Sequence, residues 1–171
     1  DQPGTPSLEG AGVLILEEAE RMEKAWQLSE AEHYYEEFLA RFPNRPEQGF
    51  VQISLAYVLM KAGHFEEAVK LLKEIQREYP GLREEDVATD FLIRIASIKK
   101  RLLDIPELEN WVKTQPDRLF LEEGGLGLAL GYLSTYQVER ALSVLEKLSE
   151  APDPRIREKA LFYRGWIHKW H

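Results

Sequence analysis

The chain has 171 residues, 44% of them apolar and 30% charged, with a formal net charge of -8 and no cysteine. A chain of this size and composition can bury a core without a metal or disulfide staple, and the missing thiols exclude cysteine catalysis, disulfides and thiolate metal sites. Residues 1–85 hold 17 acidic and 9 basic side chains, whereas residues 86–171 hold 13 of each; the acidic first half repels phosphate backbones, so no nucleic acid partner is expected.

In chain order, residues 1–11, with Pro3, Gly4, Pro6 and Gly10, read as a flexible leader. From residue 12 onward apolar residues recur three and four apart, as in Ile53, Ala56, Tyr57 and Met60 and again in Ala68, Leu71, Leu72 and Ile75. That is the spacing of one helix face. No stretch alternates apolar and polar residues between hairpin signals, so no sheet is expected. The longest apolar runs, Ala11 to Leu16 and Leu126 to Tyr132, fall far short of the roughly 18 residues of a membrane span. Neither has the basic flank and cleavage pattern of a signal peptide.

The helical pattern repeats. Ala19 and Ala31 stand 12 apart, as do Ala56 and Ala68, and Ala129 and Ala141. Four residues beyond the second alanine come Tyr35, Leu72 and Leu145, and three further on Phe38, Ile75 and Leu148; Pro43 and Pro80 close the first two units. A third unit, between the second and the last of these, has Ala88, Phe91, Leu92 and Ile95, then Leu108, Trp111 and Pro116, and a fifth begins with Leu161, Gly165 and His168. Successive offsets are 37, 36, 37 and 36 residues. The expected units are 12–45, 46–82, 83–118, 119–154 and an incomplete 155–171. Each reads as two antiparallel helices joined by a short turn, with small residues allowing close approach and a proline ending the second helix. One hairpin cannot bury its apolar face alone, so units stack.

In the third unit Asp104 stands in the place of the second alanine. With Pro106 in the first turn and Glu107 at capping-box spacing, Asp104 is an N-cap, and the second helix is expected to start about one turn late. The defect is either drift or an opening that a partner uses.

The set Leu55, Ala56, Leu59, Gly63, Phe65, Ala68, Leu72, Ile75 and Pro80 resembles a tetratricopeptide repeat, and the resemblance extends over residues 12–171. It implies an all-α, right-handed superhelical solenoid of antiparallel helix pairs, about nine helices in all, that binds proteins and catalyses nothing. Unit ends such as Phe38-Leu-Ala-Arg-Phe-Pro43 and Ile75-Gln-Arg-Glu-Tyr-Pro80, and the later Ala160-Leu-Phe-Tyr-Arg-Gly165, resemble the longer repeats of bacterial envelope proteins, which implies a periplasmic or envelope-associated setting.

No groups converge as a reaction centre needs. Of the histidines, His33 is isolated and His64 lies in a turn. His168 sits where the family places an aromatic residue, so it is expected to be packed. His168 and His171 share a helix face but offer only two ligands at a chain end, and no metal is expected. The run Gly124 to Gly131 lacks the strand that a phosphate cradle requires; it reads as close packing on a first helix, at a helix-propensity cost of about 1 kcal/mol per exposed glycine. Glu17–Glu18, Glu36–Glu37 and Glu66–Glu67 point in different directions on a helix and read as solvated faces. No catalytic residue, cofactor or small-molecule substrate is expected.

The resemblance places partner contacts on the concave, first-helix side. The matching positions are Leu16, Glu20 and Glu23 in the first unit, Phe50, Ile53, Tyr57, Met60 and Lys61 in the second, Leu126, Leu130 and Leu133 in the fourth, and Phe162, Trp166 and Trp170 in the fifth. The lysine–asparagine carboxylate clamp of chaperone-binding members is missing, since Leu16–Glu20 and Ile53–Tyr57 occupy its positions. A peptide or protein partner is therefore expected on a largely apolar surface. The alternative is an inter-domain or oligomerisation segment of a longer protein, with self-association through the incomplete C-terminal unit.

Overall fold

The computed structural model describes residues 8–170, and among them it has nine α-helices and no strand. They are α1 Leu8–Lys24, α2 Leu28–Arg41, α3 Gln48–Lys61, α4 Phe65–Glu78, α5 Arg83–Leu102, α6 Ile105–Thr114, α7 Arg118–Ser134, α8 Val138–Leu148 and α9 Pro154–Trp170. The odd-numbered helices are the first helices of the five units and the even-numbered ones the second. One boundary differs from expectation: α1 begins at Leu8, inside the leader expected to end at residue 11, while residues 1–7 of that leader lie outside the described residues. Gly10 and the missing apolar periodicity argued against a helix there. Packing overrides that propensity, because a Cβ on Gly12 would stand 3.2 Å from the Phe38 ring.

The chain divides into two compact units between Ile95 and Ala96, within α5. In the first unit the helix pairs run antiparallel. The start of α1 meets the end of α2 at Gly12 and Phe42, while its far end meets mid-α2 where the Tyr35 hydroxyl donates to Glu23 at 2.7 Å. Likewise the start of α3 meets the end of α4: Tyr79 Oη donates to Gln52 Oε1 at 2.9 Å, and Gln52 Nε2 donates to Glu78 at 3.1 Å. Ala19, Ala31, Ala56 and Ala68 are all 0% exposed. Tyr35, Phe38, Leu72 and Ile75 fill the space beside them. In α4 the residues Ala68, Leu72 and Ile75 make one buried stripe while Glu66, Glu67, Lys70 and Arg77 face water, the pattern of a helix packed on one side only.

The second unit repeats the plan. Tyr132 near the end of α7 lies under the Arg140 guanidinium near the start of α8, and Gly125 of α7 faces Leu148 at the end of α8. Leu126, Ala129, Leu145, Leu148, Ile156, Ala160 and Ile167 share one core that joins α7, α8 and α9. The other glycines of α7 approach α6, Gly127 meeting Lys100 of α5 as well. A Cβ on Gly124 would stand 3.1 Å from Trp111, one on Gly127 3.6 Å from Leu108, and one on Gly131 3.1 Å from Ile105. Close packing is thus the role of the glycine run. The short α6 also starts late, with the Asp104 carboxylate accepting from the Glu107 N–H at 2.9 Å and Glu107 reaching back to the Asp104 N–H at 2.8 Å.

Ends and turns follow local chemistry. The residues before Pro43, Pro80 and Pro116 are the C-caps Phe42, Tyr79 and Gln115, all outside the helical region, as the clash with the proline ring requires. The turn between paired helices places Trp26, Gly63 and Tyr136 at φ of 59°, 78° and 62°. Only the glycine adopts this left-handed conformation freely; a side chain there costs roughly 1–2 kcal/mol. Tyr136 is 87% exposed and returns little by packing. Tyr136→Gly is expected to stabilise the protein by about 0.5–1 kcal/mol and Gly63→Ala to destabilise it by about 1 kcal/mol, both read by urea denaturation.

Asp153 precedes Pro154, the first residue of α9, and its Oδ1 accepts from the Arg155 N–H at 2.9 Å. The Arg155 side-chain hydrogen bond, aided by backbone N–H groups, holds the Asp153 carboxyl below the usual range. A depressed carboxyl adds stability above the unfolded value of about 3.9 and loses it as pH falls through the folded one. Asp153→Ala is expected to cost about 1 kcal/mol at pH 7 and far less in acid below both values, as chemical denaturation at the two pH values would show.

Candidate functional site

The expected contact residues of the first compact unit come from α1 and α3, and the structure brings Glu20, Glu23, Phe50, Tyr57 and Lys61 together, while Leu16 lines a separate cleft with Gly12, Val13 and Phe38. Phe50, Ser54, Tyr57 and Lys61 follow one another at helical spacing along α3. Lys61 Nζ is 2.9 Å from Glu23 on α1 and 4.2 Å from the centre of the Tyr57 ring, with Trp26 on its other flank at 5.4 Å. Tyr57 in turn stacks on Phe91 of α5, ring centres 5.6 Å apart, and the Arg94 guanidinium lies over Phe91. Phe50 and Tyr57 are exposed, Leu16, Ile53 and Met60 are half-buried, and Glu20 is exposed. A cleft of about 300 Å³ runs among Glu20, Glu23, Lys24, Tyr35, Phe50, Ser54 and Lys61. Lys61 is committed to Glu23 and two rings, so it orders this face more than it reaches out from it.

In the second compact unit the contact residues separate. Leu126 is 2% exposed and belongs to the core, and Leu133 packs against that core. Leu126 was expected at the surface because its register matches the groove of the related repeats; here α9 covers it. Leu130 is half-buried, while Phe162, Trp166 and Trp170 are exposed along α9. A cleft of about 440 Å³ has Leu126, Leu130, Phe162 and Tyr163 as its apolar lining and Lys100, Arg155, Glu158 and Lys159 around them. His168, expected to be packed, is exposed; on α9 the inward position is taken by Ile167 instead.

One charged pair supports the second face from beneath. Lys100 Nζ is 2.7 Å from Glu123 Oε2, with the two side chains 13% and 5% exposed. At such burial the lone partner is far costlier than the pair. Phe91 on α5 and the cations Lys100 on α5 and Arg155 and Lys159 on α9 were not expected at the contact faces, because which helices become neighbours is not written in local spacing; the one signal was Phe91 beside Leu92 in the register.

Among the described residues every exposed large apolar side chain lies on a first helix or in a connection: Val13 and Leu14 on α1, Phe50 and Tyr57 on α3, Ile98 and Leu102 on α5, Leu161, Phe162, Trp166 and Trp170 on α9, and Trp26, Leu82 and Tyr136 between helices. The second helices α2, α4, α6 and α8 carry none. Lys100→Ala is expected to destabilise the protein by about 3 kcal/mol by stranding Glu123, and Lys100→Met combined with Glu123→Leu to recover most of that loss; guanidinium unfolding of the three chains checks it.

Residues 3–86 match the family model described as Tetratricopeptide repeat protein 21 ARM repeat. The match spans the first two helix pairs and enters α5. No curated protein sequence matches the chain. The family match covers just under half of the chain and, with two helices per unit and a period near 36 residues, is consistent with tetratricopeptide-like helical repeats.

Proposed function

We propose that this chain of tetratricopeptide-type repeats is a non-catalytic scaffold that binds a peptide or protein partner on the aromatic-bearing faces of its first helices. The observation that carries the reading is the confinement of exposed large apolar side chains to first helices and connections. Random surface drift would scatter them over both helices of each pair. Phe50 and Tyr57 on α3 and Phe162, Trp166 and Trp170 on α9 are the anchors, since aromatic side chains give much contact area for little lost freedom. Ile53, Met60 and Leu130 fill in beside them. The finer reading, a place in a bacterial envelope assembly, is supported by the resemblance of unit ends such as Phe38 to Pro43.

The alternative, an inter-domain or oligomerisation segment of a longer protein, is favoured by one observation. Leu161, Phe162, Trp166 and Trp170 are all exposed on the single helix α9, an apolar stripe of the kind that another protein surface covers.

Both readings are tested together. A partner identified by affinity capture is titrated calorimetrically against the wild-type chain, Tyr57→Ala, Leu130→Ala and Phe162→Ala, with light scattering on each. Under the scaffold reading the chain is a monomer and the Tyr57 and Phe162 variants bind at least about tenfold more weakly, a loss of ~1.4 kcal/mol. Unchanged affinity in all three variants would sink the assignment of these faces. A dimer that Phe162→Ala dissociates supports the alternative.

A further inference from the structure

Away from the apolar faces, three side chains with metal-binding atoms meet on the second helices of the first compact unit. Glu32 projects from the beginning of α2, His64 is the N-cap residue of α4, and Glu67 stands in the first turn of α4. One ligand atom from each lies within 4.8 Å of the other two, and His64 Nδ1 is 3.9 Å from Glu32 Oε2. The His64 side chain makes no capping bond to α4, so the imidazole is not spent on the helix end. Burial, then Glu36 one turn further along α2 and Glu67, push the Glu32 carboxyl above its ordinary value. The surrounding charge therefore favours a cation.

The donor set decides which cation. Magnesium and calcium prefer shells made wholly of oxygen, whereas an imidazole with two carboxylates is a set found around zinc and its neighbours. Ligand atoms about 2.0–2.2 Å from one ion stand roughly 3.4 Å apart. The present spacing of up to 4.8 Å closes by rotation of the exposed His64 and Glu67 side chains, while the half-buried Glu32 stays in place.

We propose that Glu32, His64 and Glu67 bind a divalent transition ion of the zinc class, with water completing its shell, and that the ion ties α2 of the first repeat to the start of α4 of the second. An ion held by both helices is linked to folding and raises stability when present. This goes beyond the partner-binding reading and stands or falls separately, because none of the three residues belongs to the apolar faces.

The experiment is calorimetric titration of the full chain with zinc chloride, repeated for His64→Ala, Glu32→Gln and the His168→Ala/His171→Ala double variant, with thermal melts in zinc and in EDTA. The expected result is one saturable zinc site in the wild type and in the double variant, weakened at least about tenfold in His64→Ala and Glu32→Gln. A zinc-dependent rise in Tm should disappear with His64→Ala, and magnesium or calcium at equal concentration should not displace zinc. Circular dichroism confirms that the variants stay helical. The proposal is overturned by the absence of saturable binding, by equal binding in His64→Ala, or by displacement with magnesium, which would mean a diffuse acidic surface.

Discussion

Everything in this chain depends on how closely two antiparallel helices approach. The approach is set by small residues at fixed points: Ala19 and Ala31, Ala56 and Ala68, and Ala129 and Ala141 are all 0% exposed. Helix axes that pack with such residues lie at the short end of the usual 8–10 Å range, and a larger side chain there would overpack the core. Once the crossing point is fixed, the residues one turn further along α2, α4 and α8 face inward, which is why Tyr35, Leu72 and Leu145 are buried together with Phe38, Ile75 and Leu148. The repeat in the sequence is the trace of this geometry.

The third repeat shows the constraint being met by another route. Leu92 and Asp104 stand where the alanine pair would be. The helix α5 continues to Leu102 and α6 begins only at Ile105. Smallness moves to the neighbouring helix: Gly124, Gly127 and Gly131 of α7 receive Trp111, Leu108 and Ile105 of α6. The exchange has costs. Glycine weakens a helix by about 1 kcal/mol relative to alanine where exposed, and Trp111 Nε1 is buried without a hydrogen-bond partner, a penalty of roughly 1–3 kcal/mol. A buried tryptophan makes enough contact to offset part of this.

These features explain what could be read in advance. The helix pairs, the late start of α6 and the packing role of the α7 glycines were legible because each rests on residues close in sequence: an alanine spacing, an Asp-x-x-Glu cap, a run of glycines in a helical context. The start of α1 was misread because Gly10 and its proline- and glycine-rich neighbours speak locally against a helix, whereas the packing of Gly12 against Phe38 and Phe42 involves residues far along the chain. His168 was misplaced by one position, since Ile167 takes the inward side of α9. The faces were only half legible. Phe50 and Tyr57 follow from the register, but Phe91 beneath Tyr57, and the pairing of Lys100 with Glu123, depend on which helices become neighbours.

The two helices of a pair carry different burdens, and this shapes the faces. In α4 the apolar stripe is narrow and the remainder is charged, so the helix has one inner and one outer side. In α3 and α7 buried residues occur nearly all round: Val51, Gln52, Leu55, Ala56, Val58 and Leu59 in the former, Phe120, Glu123, Leu126, Leu128 and Ala129 in the latter. A helix enclosed on several sides is rigid, and what it still exposes is held in a fixed place. Phe50 and Tyr57 therefore project from a helix enclosed on several sides, with Tyr57 further braced by Phe91 and Lys61. Rigid aromatic side chains lose little freedom when a partner covers them. The same enclosure that secures the core thus prepares the surface beside it.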